Sequence, residues 1–308
     1  MKDIDQLAEK LNNYAKAERL AFIDFKVRFE GRILRSDLTE EFGISEPIAT
    51  KEIADYKSET QDMNIRLDKH SKTNVINTET YKPLIKIRAR DALEMHFEGF
   101  CRNKLRQYQS SNFKRACEIP SQLCTDSVAT ITRAIANGTN ILCTYISANS
   151  HKHNQRKLSP LSVYFDGLNW VFRARDAHDN IFKSFHFGRV KEAKETSEES
   201  LLTTTDDPEW NMLIPIHLQL HPNLNKYQKA AFRIDFGMEA DQEEKVFIER
   251  AVFAWSLFER WSVDTSITPI RLPTEANRYN FHLKNAALLQ HVDCIKYLIK
   301  DLQINLVD

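Results

Sequence analysis

The chain has 308 residues, no net formal charge, 28% charged and 42% hydrophobic side chains, a length suited to two or three domains and a composition that excludes wholesale disorder. No run approaches the roughly 18 apolar residues that a membrane helix needs, and MKDIDQLAEK at the N-terminus lacks a signal-peptide core, so a cytoplasmic location without membrane contact is expected. Cys101, Cys117, Cys124, Cys143 and Cys294 are scattered with no CxxC pair, which excludes a disulfide framework or zinc-finger spacing and reads as buried thiols.

The zero sum conceals an uneven distribution. Residues 1–75 hold 13 Lys+Arg against 15 Asp+Glu, 82–115 hold 9 against 3, 141–194 hold 9 against 4, and 195–308 hold 11 against 18. A basic middle favours contact with a polyanion.

Residues 5–29 carry apolar side chains at helical spacing (Leu7, Leu11, Tyr14, Leu20, Ile23, Val27) with Gly31 as a stop. In RSDLTEEFGISEPIATKEIADY, Ser36 is expected to cap one short helix, Gly43 to allow a tight turn, and Ser45 to cap a second helix with Pro47 in its first turn. That is a helix-turn-helix layout. Leu38, Phe42, Ile44, Ala49 and Ile53 would face inward, leaving Glu46, Pro47, Ile48, Thr50 and Lys51 outward, where a DNA groove would be met. MNIRLDKHSKTNVINT alternates about a polar tip, as a winged hairpin does, with Lys69, His70 and Lys72 at that tip.

Residues 84–108 read as a basic amphipathic connecting helix, and 126–137 as another, leading through Asn137-Gly138 into a strand. In that strand Ile141, Cys143, Tyr145 and Ser147 share a face. A polar loop through Arg156, Lys157 and Pro160 follows, then a hairpin turning at Asp166-Gly167, then the strand IFKSFHFGRV with Arg189. Alternation puts Trp170, Phe172 and Ala174 on one face of the hairpin's second strand and Val171, Arg173 and Arg175 on the other. Two adjacent guanidinium groups invite an anion, and Arg156 and Arg189 are expected to converge on the same cleft.

Catalysis finds little support. The pair His151 and His153 has no carboxylate or cysteine nearby to complete a metal set, and no G-x-S-x-G, GxxxxGK[ST] or G-x-G-x-x-G occurs. The expectation is a protein that is no enzyme, without cofactor or metal.

GISEPIATKEI resembles the helix-turn-helix signature of many bacterial repressors, with Thr50 and Lys51 where that pattern has Ser and Arg. TYIS, RKLSP, GLNWVFRARD and IFKSFHFGRV resemble the WYL domain of bacterial transcriptional regulators, a small Sm-like (SH3-like) bent sheet, whose name-giving triplet corresponds to Trp170, Val171 and Phe172. The order Tyr-x-Ser, Arg, Pro, Trp, Arg-Ala, Phe, Arg is most similar to the BrxR and CapW type, which controls phage-defence operons; Leu161 and Asn169 stand where that subgroup usually has His and Arg. LQLHPNLNKYQKAAFRIDFGM and ERAVFAWSLFERWSVD resemble the WYL C-terminal extension, which helps build the dimer in such regulators.

The resemblance implies an α+β multidomain chain: a winged helix-turn-helix over 1–82, a helical linker over 83–125, a WYL ligand-sensing domain over 126–200 and an α/β C-terminal extension over 201–308. It implies a homodimeric repressor of a BREX- or CBASS-like operon that binds an inverted repeat in double-stranded DNA through Ser36, Ser45, Pro47, Ile48, Thr50, Lys51, Lys69, His70 and Lys72. A nucleotide or nucleic-acid effector would be held by Tyr145, Ser147, Arg156, Trp170, Arg173, Arg175 and Arg189. The alternatives are a WYL-type activator and a sequence-blind nucleic-acid-binding accessory factor of a defence system.

Overall fold

The computed structural model describes residues 3–105, 123–147, 155–270 and 278–300. The chain forms two compact units, Met1–Tyr164 with Asn169–Leu202, and Phe165–Leu168 with Thr203–Asp308.

In the first unit the long helical pattern is two helices, α1 (Ile4–Leu11) and α2 (Tyr14–Glu30). Asn12 takes a left-handed conformation that stops α1, and the Asn13 side chain accepts the Lys16 N–H to start α2. Gly31, at φ 83°, ends α2 where an L side chain would be strained. Strand β1 (Arg32–Ile33) follows, then α3 (Arg35–Phe42) and α4 (Glu46–Glu59). Ser36 does not cap α3; it lies within the first turn, while Asp37 reaches back to accept the Leu34 N–H at 2.7 Å. The local reason is that the chain leaves β1 extended through Leu34, so the helix starts one residue before Ser36. Ser45 is the residue before α4, but its hydroxyl makes no capping hydrogen bond.

Strands β2 (Ile65–Leu67) and β3 (Asn74–Ile76) make the wing, and β1 joins them in the order β1-β3-β2. The expected linker helix starts later than its apolar pattern: Pro83–Arg88 is not helical, and α5 runs Ala89–Glu98. Asp24, fully buried on α2, accepts the N–H groups of Leu84 and Ile85 at 3.0 and 3.3 Å and so holds this stretch extended. A short α6 (Arg102–Leu105) follows Gly99.

Helix α7 (Thr125–Asn137) ends at Gly138 and feeds β4 (Thr139–Tyr145). Strands β5 (Gln155–Phe165), β6 (Trp170–Asp176), β7 (Ile181–His186) and β8 (Val190–Glu199) complete a five-stranded sheet ordered β7-β6-β5-β4-β8. Arg156–Pro160, read from sequence as loop, is strand. Strand β8, whose VKEAKETSEE is too polar to read as one, pairs antiparallel with β4. Helices α2, α5 and α7 and one face of this sheet share a continuous apolar core containing Phe29, Leu93, Ile131, Cys143, Phe172 and Phe185. Among the described cysteines Cys143 alone is buried, Cys101 and Cys294 are half-buried and Cys124 is exposed; Cys117 lies outside the described residues. Burial pushes the Cys143 thiol up to about 12, partly opposed by Arg156.

The second unit holds α8 (Pro208–Asn211), β9 (Leu213–Leu220), α9 (Lys226–Asp235), β10 (Glu244–Arg250), α10 (Ala254–Arg260), β11 (Val263–Asp264), β12 (Phe281–Leu283) and α11 (Ala286–Leu289). Its sheet is ordered β10-β9-β12-β11, antiparallel except for β11 with β12. The alternating Ile214, Ile216, Leu218 and Leu220 of β9 pack with Phe258 and Phe281 into a separate core. Among the described residues no helix is long and apolar enough to cross a membrane.

Candidate nucleic-acid interface and effector face

Helix α4 is anchored from behind. Ala49, Ile53 and Tyr56 are buried, Arg19 of α2 grips the buried Glu52 through Nε at 2.9 Å and Nη2 at 2.6 Å, and Tyr56 donates to Asp24 at 2.7 Å. Its other face is open: Ser45, Glu46, Pro47, Ile48, Thr50 and Lys51 are all exposed, with Ile48 at 44%. The Thr50 hydroxyl donates to the Glu46 carbonyl at 2.9 Å, leaving its oxygen as an acceptor toward solvent.

The wing tip is organised by Asp68. It accepts from the Ser71 N–H at 2.8 Å and the Ser71 hydroxyl at 2.5 Å, and these bonds hold its carboxyl below the ordinary range. Lys69, His70 and Lys72 stand exposed on the turn so fixed. A cleft of about 590 Å³ separates the wing from the helix pair; Ser36, Thr50 and Lys72 line it, whereas Lys51, Lys69 and His70 do not.

The same cleft is lined by Glu46, expected from the sequence to face outward there, and by Arg35 and Lys57, which sequence reasoning left out of the interface. Arg35 Nη1 lies 3.9 Å from Glu46 across it. Lys57 was legible, because it follows Thr50 by seven residues and so shares its face of α4. Arg35 carried no such signal.

Of the seven residues expected to form one anion pocket, five lie on strands of the five-stranded sheet, and they divide between its two faces. Register explains it. Cys143 pairs with Arg156 and lies in the core, so Arg156 shares the core-side face. There its Nη1 donates to the buried Asp176 at 2.7 Å, with Lys183 at 3.2 Å from the same oxygen. Burial raises the Asp176 pKa, but the His178 N–H, Arg156 and Lys183 outweigh it and hold the carboxyl below its usual value. Tyr145 is also on the core side, edge-on to Phe185 at 5.1 Å, its oxygen accepting the His186 N–H at 3.1 Å. Trp170 lies at the margin of that core, 6.3 Å from the Phe97 ring.

Arg173 and Arg175 occupy the opposite face, paired with Ser184 and Phe182 of β7. Arg173 is only 3% exposed; its Nη1 donates to the Ser184 hydroxyl at 3.2 Å, and the Tyr164 hydroxyl lies 2.9 Å from that same oxygen. Arg175 stands over the Phe182 ring at 5.9 Å, and its Nε is buried without a hydrogen-bond acceptor. Arg189 sits in a single 3-10 turn after β7, and Ser147 just beyond β4. Neither Arg175 nor Arg189 has an ion-pair partner among the described residues. The His151 and His153 pair lies outside the described residues, and among those described no group of three or more metal-ligating side chains converges.

Residues 15–95 match the BrxR transcriptional regulator winged helix-turn-helix domain, and residues 126–195 match the WYL domain. The chain is 29% identical over 254 residues to the DNA-binding transcriptional repressor CapW of Pseudomonas aeruginosa, covering 80% of this chain and 83% of that one. It is 28% identical over 257 residues to CapW of Escherichia coli (strain KTE188), with the same coverages. The relative from Stenotrophomonas maltophilia, also a DNA-binding transcriptional repressor CapW, is 29% identical over 232 residues, 73% of this chain and 76% of that one.

Proposed function

The chain carries a BrxR-type winged helix-turn-helix domain and a WYL domain, and on that footing we propose that it is a DNA-binding transcriptional repressor of the CapW kind, which acts as a homodimer on an inverted repeat. The observation that carries this reading is the open face of α4: a helix fixed from behind by Asp24 and Arg19, presenting Ile48, Thr50 and Lys51 beside a wing that offers Lys69, His70 and Lys72. Such a face enters a major groove, where Ile48 meets a thymine methyl and Lys51 a guanine edge, while the wing cations meet phosphates. Two copies related by a dyad place two such helices on successive half-sites.

The regulated operon in this reading is a phage-defence operon, and the regulatory signal enters at Arg173 and Arg175. The buried, acceptor-free Nε of Arg175 supports an anionic effector, a nucleotide or nucleic-acid end, because a guanidinium left without an acceptor in a partly dry site gains most from one. The effector acts by binding the DNA-competent and DNA-incompetent forms with different affinity.

The test is a fluorescence-anisotropy titration of the full chain against the DNA upstream of its own gene, beside a scrambled duplex, at two salt concentrations. A selective complex holding two protomers per site is the expected result. Equal, salt-steep binding to both duplexes would replace the repressor with a sequence-blind accessory binder.

A further inference from the structure

A cavity of about 620 Å³ lies within the first unit, between the C-terminal end of α2, the segment that follows the wing, and α7. Three cations line it, Arg28, Lys82 and Arg133, against the single carboxylate of Asp126. Arg28 is 6% exposed and donates to Asp126 at 2.9 Å, and its carbonyl accepts Arg133 Nη1 at 2.7 Å. Arg133 Nε is buried without a hydrogen bond and is ion-paired with Glu195 at 3.5 Å. Lys82 is exposed and has no ion-pair partner among the described residues. With Asp126 and Glu195 counted against Arg28, Lys82 and Arg133, the cavity keeps one positive charge in excess, carried by the exposed Lys82.

The remaining wall combines the hydroxyl-bearing Thr78 and Thr130 with an apolar part made by Ile76, Pro83, Ala129 and the ring of Tyr81. We propose that this cavity is a second effector site, separate from the arginine strand β6, that takes a phosphomonoester of nucleotide size. A phosphate is drawn by the excess positive charge of Lys82 and can be bonded bidentately by the Arg28 and Arg133 guanidinium groups. Inorganic phosphate alone would leave most of the volume and the apolar wall unused, whereas a base and sugar occupy them. Duplex phosphodiesters carry one charge each and have no group for that wall.

The site is placed to act on DNA binding, a consequence that rests on the repressor reading. Tyr81, in its wall, donates to Asp24 at 3.0 Å, and Asp24 accepts the Tyr56 hydroxyl of α4 at 2.7 Å. A ligand that shifts Tyr81 disturbs the bond that fixes the back of α4.

Calorimetric titration of the full chain with AMP, GMP, CMP and UMP, with adenosine and inorganic phosphate as controls, tests the site. At least one monophosphate should bind once per chain, and adenosine and phosphate at least about tenfold more weakly. Lys82→Glu should weaken it by roughly tenfold or more through charge reversal. The fold tolerates this change, because residue 82 is held by backbone bonds to Asn64 at 2.7 and 2.9 Å. The proposal is overturned if no monophosphate binds, if Lys82→Glu leaves binding unchanged, if binding is lost in Arg175→Ala instead, or if a non-operator duplex displaces the nucleotide. Failure here leaves operator binding untouched, and failure of operator binding leaves the nucleotide titration intact.

Discussion

The Tyr56 hydroxyl of α4 and the Asp24 carboxylate of α2 meet at 2.7 Å in the core, and the same carboxylate accepts from the Tyr81 hydroxyl and the N–H groups of Leu84 and Ile85. One buried acid therefore sets α4, the segment leaving the wing and the start of the connection to α5. Burial raises its pKa against the effect of these bonds. Asp24→Ala leaves four donors without their acceptor and is expected to cost about 3 kcal/mol or more, against about 1 to 2 for Tyr56→Phe, which removes one bond. Urea unfolding followed by circular dichroism measures both, and equal losses would deny Asp24 its joining role.

At the DNA face, Lys51→Ala is expected to lose about 1 to 3 kcal/mol of operator affinity and to relax specificity at one base pair. Lys69→Ala and Lys72→Ala should weaken operator and scrambled duplex alike and reduce the salt slope by about one each. Anisotropy titrations on single-base operator variants separate the two behaviours. A uniform loss for Lys51→Ala would make it a phosphate contact.

The helix-turn-helix was legible because its signals are local: Gly43 for the turn, Pro47 in a first turn, and a 3.6-residue alternation that separates Ile53 from Lys51. The wing was legible for the same reason, since Asp68–Thr73 is a polar tip between alternating strands. Strand β8 was not, because its partner β4 lies about fifty residues away and supplies the pairing that VKEAKETSEE does not advertise. The same limit governs the anion pocket. Alternation within β6 correctly separated Arg173 and Arg175 from Phe172, but which face Arg156 joins depends on its register with Cys143, a long-range fact. Asp24 gave no signal at all, a lone acid within an apolar helical run.

Arg156 has a structural duty: it neutralises Asp176, whose side chain is almost wholly buried. Arg156→Ala should destabilise the first unit by about 2 kcal/mol, below the figure for a fully orphaned buried charge because Lys183 and the His178 N–H remain. Thermal unfolding should register this loss. Wild-type stability with loss of effector response would instead return Arg156 to the ligand site.

Arg173 and Arg175 predict the opposite pattern. The Arg173→Ala, Arg175→Ala double variant should bind operator within about threefold of wild type, since both side chains lie on the sheet face opposite the core that α2 shares, and should fail to release it on the inducing signal. Reporter expression during phage challenge, beside anisotropy in vitro, gives both readouts. Normal release by this variant would remove β6 from the sensing pathway.

In the second unit Asp264 is fully buried and accepts from the N–H groups of Ser266 and Ile270 at 3.0 and 2.8 Å, with His221 Nε2 at 3.3 Å. Burial alone would raise its pKa; the bonds from His221, Ile270 and Ser266 outweigh it and bring it down to about 2 from an ordinary 3.8. The folded carboxyl thus holds its proton less tightly than the unfolded one. Its contribution, on the order of 2 kcal/mol, is present above the unfolded pKa and is lost as pH falls through about 2. Unfolding free energies of wild type and Asp264→Asn should therefore differ by a constant amount above about pH 5 and draw together below pH 4. A gap that does not narrow in acid would mean that the carboxylate's hydrogen bonds stabilise the unit independently of its charge.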